Sequence, residues 1–276
     1  RSLLYYLSTT WLAKKMDLKI MFYANGIGPL KRNNNKSLTR KILNKVNVIT
    51  LRENLSMKEL ESLNINEPSI IVTADPALTV KAASDKEADK ILLKEGLKTS
   101  GPYVGFSVRN WYGSEKFTKV IAQTADYMVD NYGITPIFIP MHYPDDIYVI
   151  EEVVSHMKTK GYIIRSKYSV PQTLAVTGKM DMLIGMRLHA LIFAASSGVP
   201  IIGLAYEPKI DGFLQYANQP SAGNVTHLEF DKLKRIVDEV WLNRVEISKQ
   251  LEKDVEVLKR KALENAKIAV GLIEED

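Results

Sequence analysis

There is no cysteine in this chain, and there are only four histidines. The first absence excludes a disulfide framework and thiolate chemistry, and the second leaves little from which to assemble a metal site. No apolar run approaches the roughly 18–20 residues that a bilayer-spanning helix needs. The opening Arg1-Ser-Leu-Leu-Tyr-Tyr-Leu is too short, and too polar beyond, for a secretory signal. Low-complexity stretches and internal repeats are also missing. No stripe of interleaved basic and aromatic residues runs along the chain and no nucleic-acid reading motif occurs, so nucleic acid is not an expected partner. The expectation is a soluble, cytoplasmic protein with no metal and no cofactor.

What is present is enough for a sizeable core: 276 residues, 46% of them hydrophobic, which predicts about two domains. The net charge of +5 is mild and favours anionic ligands, or peripheral contact with the anionic inner face of a membrane. Apolar and polar periodicity predicts helix and strand in alternation. A helix runs to about Met16, and strands follow at 18–24, 48–51 and 69–73, separated by helices near 37–45 and 54–63. The first helix has no upstream strand to pack on, so an N-terminal piece is expected to be missing. A polar stretch from Lys81 marks a linker or the first helix of a second domain, which continues through strands at 103–109, 134–140 and 162–165. The fold class predicted is α/β, with two doubly wound, Rossmann-like parallel-sheet domains. Residues 1–90 would be the remainder of the first domain and 91–250 the second, while 251–276 form a terminal helix that packs back on the first.

The most informative stretch is 180–209. A run that does not alternate, Met182 to Met186, leads into Arg187 and His189, then a small-residue helix closed by Gly198 and Pro200, then a second such strand, Ile201 to Ala205. Strands of this kind are covered on both faces, and the loops outside their carboxyl ends form the usual ligand crevice. His189 is therefore placed in the first turn of a helix, where free N–H groups favour an anion. The alternative for His189 is a satisfied core histidine, and Arg187, two residues away, can point elsewhere. Lys209, held by Pro208, suits phosphate or carboxylate capture. Glu207 either orients His189, accepts a proton from a substrate hydroxyl, or caps a helix beginning near Lys209.

Other strand ends supply further candidates. Arg109 is followed by Asn110, Trp111 and Tyr112, a guanidinium, an amide and stacking surfaces in one loop. The Gly26/Gly28 turn is followed by Lys31 and Arg32. Arg52 and Asp75 end strands of the first domain and are candidates for its cleft-facing edge, and His142 sits in a Pro-flanked loop after a strand. His156 and His227 read as structural.

These residues together resemble the polysaccharide pyruvyltransferase family, and most closely the bacterial cell-wall ketal pyruvyltransferases. The similar segments are Asn25-Gly-Ile-Gly-Pro, Thr50-Leu-Arg-Glu, Thr73-Ala-Asp-Pro-Ala-Leu, Gly105-Phe-Ser-Val-Arg, Ile139-Pro-Met-His, and above all Gly185-Met-Arg-Leu-His-Ala-Leu with Tyr206-Glu-Pro-Lys. The resemblance implies a glycosyltransferase-B-like fold and transfer of the enolpyruvyl group of phosphoenolpyruvate to a sugar, giving a cyclic ketal. In the cell-wall branch it implies an N-acetylmannosamine acceptor on a lipid-diphosphate-linked secondary cell wall polymer precursor that anchors surface-layer proteins, and it assigns His189 as the acid. Two departures stand out: the family's N-terminal Gly-Tyr-Tyr-Gly-x-x-Asn-x-Gly-Asp-Glu loop is absent, and Glu207 stands where Asp is common. The same residues allow a nucleotide-sugar glycosyltransferase or a non-catalytic glycan- or phospholigand-binding protein.

Overall fold

A computed structural model describes residues 2–111 and 115–274. The chain divides into two compact units, Arg1–Thr79 with Glu256–Asp276, and Val80–Val255. No described helix is long and apolar enough to cross a membrane.

Unit 1 contains α1 (Ser2–Lys15), β1 (Met21–Asn25), α2 (Asn33–Leu43), β2 (Val48–Leu51), α3 (Asn54–Ser62) and β3 (Ser69–Val72). The strands form a parallel sheet in the order β1-β2-β3. Leu7, Ile42, Leu43, Ile49, Leu51 and Leu60 make its core. The helix α2 begins four residues before the expected start, running through Asn33-Asn34-Asn35 in spite of their poor helix propensity. Ile42 and Leu43, buried about two to three turns later, anchor it against the sheet.

Unit 2 contains α4 (Asp85–Lys94), β4 (Tyr103–Ser107), α5 (Glu115–Tyr132), β5 (Thr135–Phe138), α6 (Asp145–His156), β6 (Tyr162–Ile163), α7 (Val170–Thr177), β7 (Met182–Gly185), α8 (Leu188–Ser196), β8 (Ile201–Ala205), α9 (Pro208–Tyr216), β9 (Ser221–Asn224) and α10 (Phe230–Leu242). The long α11 (Arg244–Glu274) starts here, and its last part belongs to unit 1. There the buried Asn265 accepts a hydrogen bond from the Thr73 hydroxyl at 2.9 Å and donates to the Ala74 carbonyl at 3.1 Å.

The division falls between Thr79 and Val80, ahead of residue 90, because α4 is tied to unit 2. Gln172 donates to Glu87 at 2.6 Å, and Lys179 bridges Asp85 and Asp89 at 3.2 and 3.1 Å.

The unit 2 sheet is wholly parallel with order β6-β5-β4-β7-β8-β9. In strand sequence this is the doubly wound order, with its topological switch between β4 and β7. Ser107 pairs with Gly185 there, and β4, β7 and β8 are buried along their whole length. Helices cover both faces, which is why these strands read as apolar runs without alternation. The sixth strand, β9, is one more than the five expected. Its Ser-Ala-Gly-Asn sequence has neither β-branched nor aromatic residues, and it is an edge strand paired only with β8.

Candidate active site

Five residues after the start of β4, the buried Val108 gives way to Arg109, which is half-buried. Its guanidinium carbon lies 4.8 Å from the ring centre of Tyr206, and its Nη1 donates to the Tyr206 hydroxyl at 3.1 Å. The Trp111 ring is 5.0 Å from that of Tyr206, and the guanidinium is 5.8 Å from Trp111. A delocalised cation over a π face is held without losing its charge, and stacking fixes the plane in which its remaining donors point. Tyr206 is 8% exposed and directly follows β8. Since β7 lies between β4 and β8, Arg109 and Tyr206 meet across the carboxyl end of the middle strand. Asn110 is exposed beside Arg109, whose Nε donates to the Asn110 carbonyl at 3.4 Å. Tyr112 lies outside the described residues.

A second cation addresses the same ring. The Lys209 ammonium is 5.5 Å from the centre of Tyr206 and 2.5 Å from a carboxylate oxygen of Glu207. Glu207 is the N-cap residue of α9 by position, with extended φ and ψ, but its side chain makes no capping hydrogen bond. Pro208 opens the helix and Lys209 follows in the first turn, where the helix dipole disfavours a cation. The adjacent carboxylate and the aromatic face offset that cost.

β7 ends at Gly185, and Arg187 takes the N-cap position of α8 with φ −78° and ψ 117°. No side chain caps this helix, so its first-turn N–H groups are oriented for an anion. Leu188 is buried, whereas His189, the second helical residue, is exposed, with Phe193 one turn on at 6.4 Å between ring centres. Arg187 turns away from His189. Its Nε donates to Asp146 at 3.1 Å and its Nη2 bonds the other oxygen of the same carboxylate. Asp146, 1% exposed in the first turn of α6, also accepts from the backbone N–H of Met141 at 3.0 Å and of His142 at 2.8 Å. A bidentate arginine and two amides satisfy a buried carboxylate. Arg187 therefore fastens the β7–α8 turn to the β5–α6 turn. The His142 side chain points outward, 2.9 Å from Asp145.

In unit 1, Arg52 follows β2 and Asp75 follows β3, and they pair at 2.9 Å. Asp75 also accepts from the Ala77 N–H at 3.0 Å, capping a short turn at Pro76–Thr79. Gly26 leaves room for Arg52, since a Cβ there would stand 3.0 Å from its Nε. The loop after β1 is held by α3: the Ile27 N–H donates to Ser56 Oγ at 2.7 Å and the Leu30 N–H to Glu59 at 2.9 Å. Arg32 is exposed at the N-cap of α2. Among the described residues no group of three or more His, Cys, Asp or Glu converges on a metal position.

Tyr206, which the sequence places in a resembling segment without a role of its own, and Asp146, which it does not single out, are the two further site residues. Tyr206 had a signal, an aromatic placed where an apolar strand stops and two charged residues begin. Asp146 had none, because its partner is 41 residues away.

Two parallel, helix-covered sheets of this kind define a two-domain α/β protein of the glycosyltransferase-B type. Among solved structures the chain is similar to MnaA of S. aureus bound to UDP, with TM-score 0.68 and 12% identity over 95% of this chain and 72% of that one. It is also similar to HepE of Anabaena in complex with UDP, with TM-score 0.67 and 11% identity over 97% and 76%. At these identities the likeness is one of fold. The chain belongs to the polysaccharide pyruvyl transferase family, which it matches over residues 1–208. A curated relative, the amylovoran biosynthesis protein AmsJ of Erwinia amylovora, is 21% identical over 262 residues, covering 89% of this chain. The chain spans 62% of the length of that relative.

Proposed function

We propose that this protein transfers the enolpyruvyl group of phosphoenolpyruvate to a sugar, forming a pyruvate ketal and releasing phosphate. Family membership supports the reaction class, and the observation that carries the donor is the pair of cations, Arg109 and Lys209, gathered on Tyr206 beside the uncapped start of α8. Phosphoenolpyruvate has a phosphate and a carboxylate, and each needs fixed donors in a site with restricted water. Arg109 suits planar, bidentate capture, Lys209 acts as a point charge, and the α8 N–H groups complete an anion cradle.

In this reading His189 donates a proton to the methylene carbon, and the neighbouring carbon gains oxocarbenium character. A sugar hydroxyl forms a C–O bond there and gives up its proton, for which Glu207 is the nearest carboxylate to Lys209. The bond from that carbon to the phosphate oxygen then breaks, phosphate leaves with the proton held by Glu207, and a second hydroxyl adds to the same carbon to close the ketal, returning its proton to His189. Arg187 serves the reaction by setting the α8 turn. Arg32, Arg52, Asp75, Asn110 and His142 belong to the proposed substrate-binding set, each on the strand-end loops of its own unit. The acceptor proposed is an N-acetylmannosamine residue of a lipid-diphosphate-linked cell-wall glycan.

The test is phosphate release from phosphoenolpyruvate by the full-length protein, with and without an N-acetylmannosamine-terminated lipid-diphosphate acceptor, beside His189→Ala. Acceptor-dependent release that the substitution abolishes is the expected result. Binding of a uridine diphosphate sugar with no release from phosphoenolpyruvate overturns the reading in favour of glycosyl transfer.

A further inference from the structure

The anionic donor employs the cations at the carboxyl end of the unit 2 sheet, but it leaves one aromatic ring there without a task. Arg109 is already held by Tyr206, through both the ring and the hydroxyl. Trp111 adds little to that grip. Its ring is 5.8 Å from the guanidinium, against 4.8 Å for Tyr206, and an indole has no hydrogen-bond acceptor to offer. The indole leans on Tyr206 instead, with 5.0 Å between ring centres and planes 53° apart, and is half-buried. Tilted rings cover each other only in part, so indole surface is left open beside the exposed Asn110. Trp241 shows the contrast of a tryptophan used for packing: it is 5% exposed, lies 5.7 Å from the Tyr132 ring and is covered by the Arg244 guanidinium at 4.3 Å.

The face of an aromatic ring is the negative side of its quadrupole. It repels phosphate and carboxylate, and it attracts the weakly positive C–H groups that cover one side of a pyranose ring. The neighbouring Asn110 amide carries both a donor and an acceptor, the pair that a sugar hydroxyl needs. In a β-linked N-acetylmannosaminyl ring the axial C–H groups at positions 1, 3 and 5 share one side, and the axial acetamido group stands on the other. Only the first side can lie flat on an indole. The two hydroxyls that a cyclic ketal joins leave from the edge of the ring, so a ring stacked in this way keeps both free to react.

We propose that Trp111 is the stacking platform for the acceptor sugar, with Asn110 beside it to hydrogen-bond a hydroxyl. The platform selects by ring face. A β-linked N-acetylmannosaminyl ring stacks through its axial C–H side, whereas an α-linkage places an axial oxygen on that side and lifts the ring away. Arg109, Lys209 and the start of α8 hold the anionic donor, and the uncharged surface of Trp111 takes the uncharged partner. The inference rests on the sugar acceptor proposed above, but it is measured by binding, without turnover. Absent phosphate release with Trp111-dependent sugar binding would sink pyruvyl transfer and leave the platform standing.

The experiment is saturation-transfer NMR of the full-length protein with the methyl β- and α-glycosides of N-acetylmannosamine, beside calorimetry with phosphoenolpyruvate on the same variants. Saturation from the aromatic protons should fall most strongly on the protons at positions 1, 3 and 5 of the β-glycoside, and the α-glycoside should bind more weakly. Trp111→Phe keeps a π face and should retain most of the affinity. Trp111→Leu should lose on the order of tenfold. Both variants should bind phosphoenolpyruvate as the parent does and unfold at the same urea concentration, which a residue that merely supports Arg109 would not allow. Failure of the β-glycoside to bind overturns the proposal, as does equal affinity for the two anomers or an undiminished affinity in Trp111→Leu. A loss of phosphoenolpyruvate affinity in Trp111→Leu as large as the loss for the sugar also overturns it, because Trp111 would then act by holding Arg109.

Discussion

Arg109 lies over the ring of Tyr206 and donates to the hydroxyl of that same ring, so one side chain supplies both a π face and an acceptor to one cation. The two contributions separate by substitution. Tyr206→Phe keeps the face and removes the acceptor. A hydrogen bond to a charged group is worth about 1.5–3 kcal/mol, so affinity for phosphoenolpyruvate should fall by roughly ten- to a hundredfold, with kcat less affected than KM. Tyr206→Leu also releases Lys209 and should weaken binding further. Titration calorimetry with phosphoenolpyruvate checks this, and equal affinities for parent and Tyr206→Phe would show that stacking alone orients Arg109.

Breaking the Arg187–Asp146 pair strands a charge in the interior. Arg187→Met should lower stability by about 3–5 kcal/mol, seen as a lower urea midpoint with an unchanged slope. Arg187→Lys should recover little, because a point charge cannot reproduce the two-pronged bond. Full recovery by lysine would mean that only the charge matters there.

Gly203 in β8 faces Leu214 of α9, and a Cβ at Gly203 would come within 2.2 Å of a Leu214 methyl and 2.9 Å of its Cγ. Leu214 is buried and has little room to yield. Gly203→Ala should therefore destabilise by about 1–3 kcal/mol and push α9 outward, carrying Lys209 with it. A raised KM for phosphoenolpyruvate in a variant that still unfolds cooperatively is the expected pattern. An unchanged KM would mean that α9 yields without moving its first turn.

Acid should loosen the loop before α7. Burial pushes the Glu95 carboxyl up, but the N–H groups of Arg165 and Ser166 and the hydroxyls of Tyr168 and Ser166 outweigh it, leaving its pKa below the ordinary 4.5. A carboxyl lowered on folding contributes stability that is present above the unfolded value and is lost as pH falls through the folded one. The parent should thus lose stability relative to Glu95→Gln on acidification below about pH 4.5, in paired denaturation curves. Parallel curves would mean that the loop does not depend on the charge.

Much of this architecture is legible in the sequence, and the pattern of what is not has a physical cause. Val48–Leu51 can be bounded to the residue because its largely apolar run gives way sharply to the charged pair Arg52 and Glu53. The charged groups at the carboxyl ends of β4, β7 and β8 are found by the same rule. Which charged groups answer one another is a different matter. The partner of Arg187 depends on how β5 and β7 flank β4, and the partner of Arg109 on β8 lying one strand beyond β7. Strand β9 escapes because hydrogen bonding to one neighbour, rather than side-chain type, makes it a strand.

The carboxylate of Asp146 is filled from two separate turns of the chain, one donating its backbone and the other its guanidinium. Neither turn is therefore an interchangeable module. A chimera that borrows the β5–α6 loop from a relative without Asp at this position would inherit an orphaned arginine beneath α8, and its failure would have nothing to do with substrate preference. Loop exchange intended to redirect acceptor choice should treat 141–146 and 185–189 as one cassette, moved together or left alone.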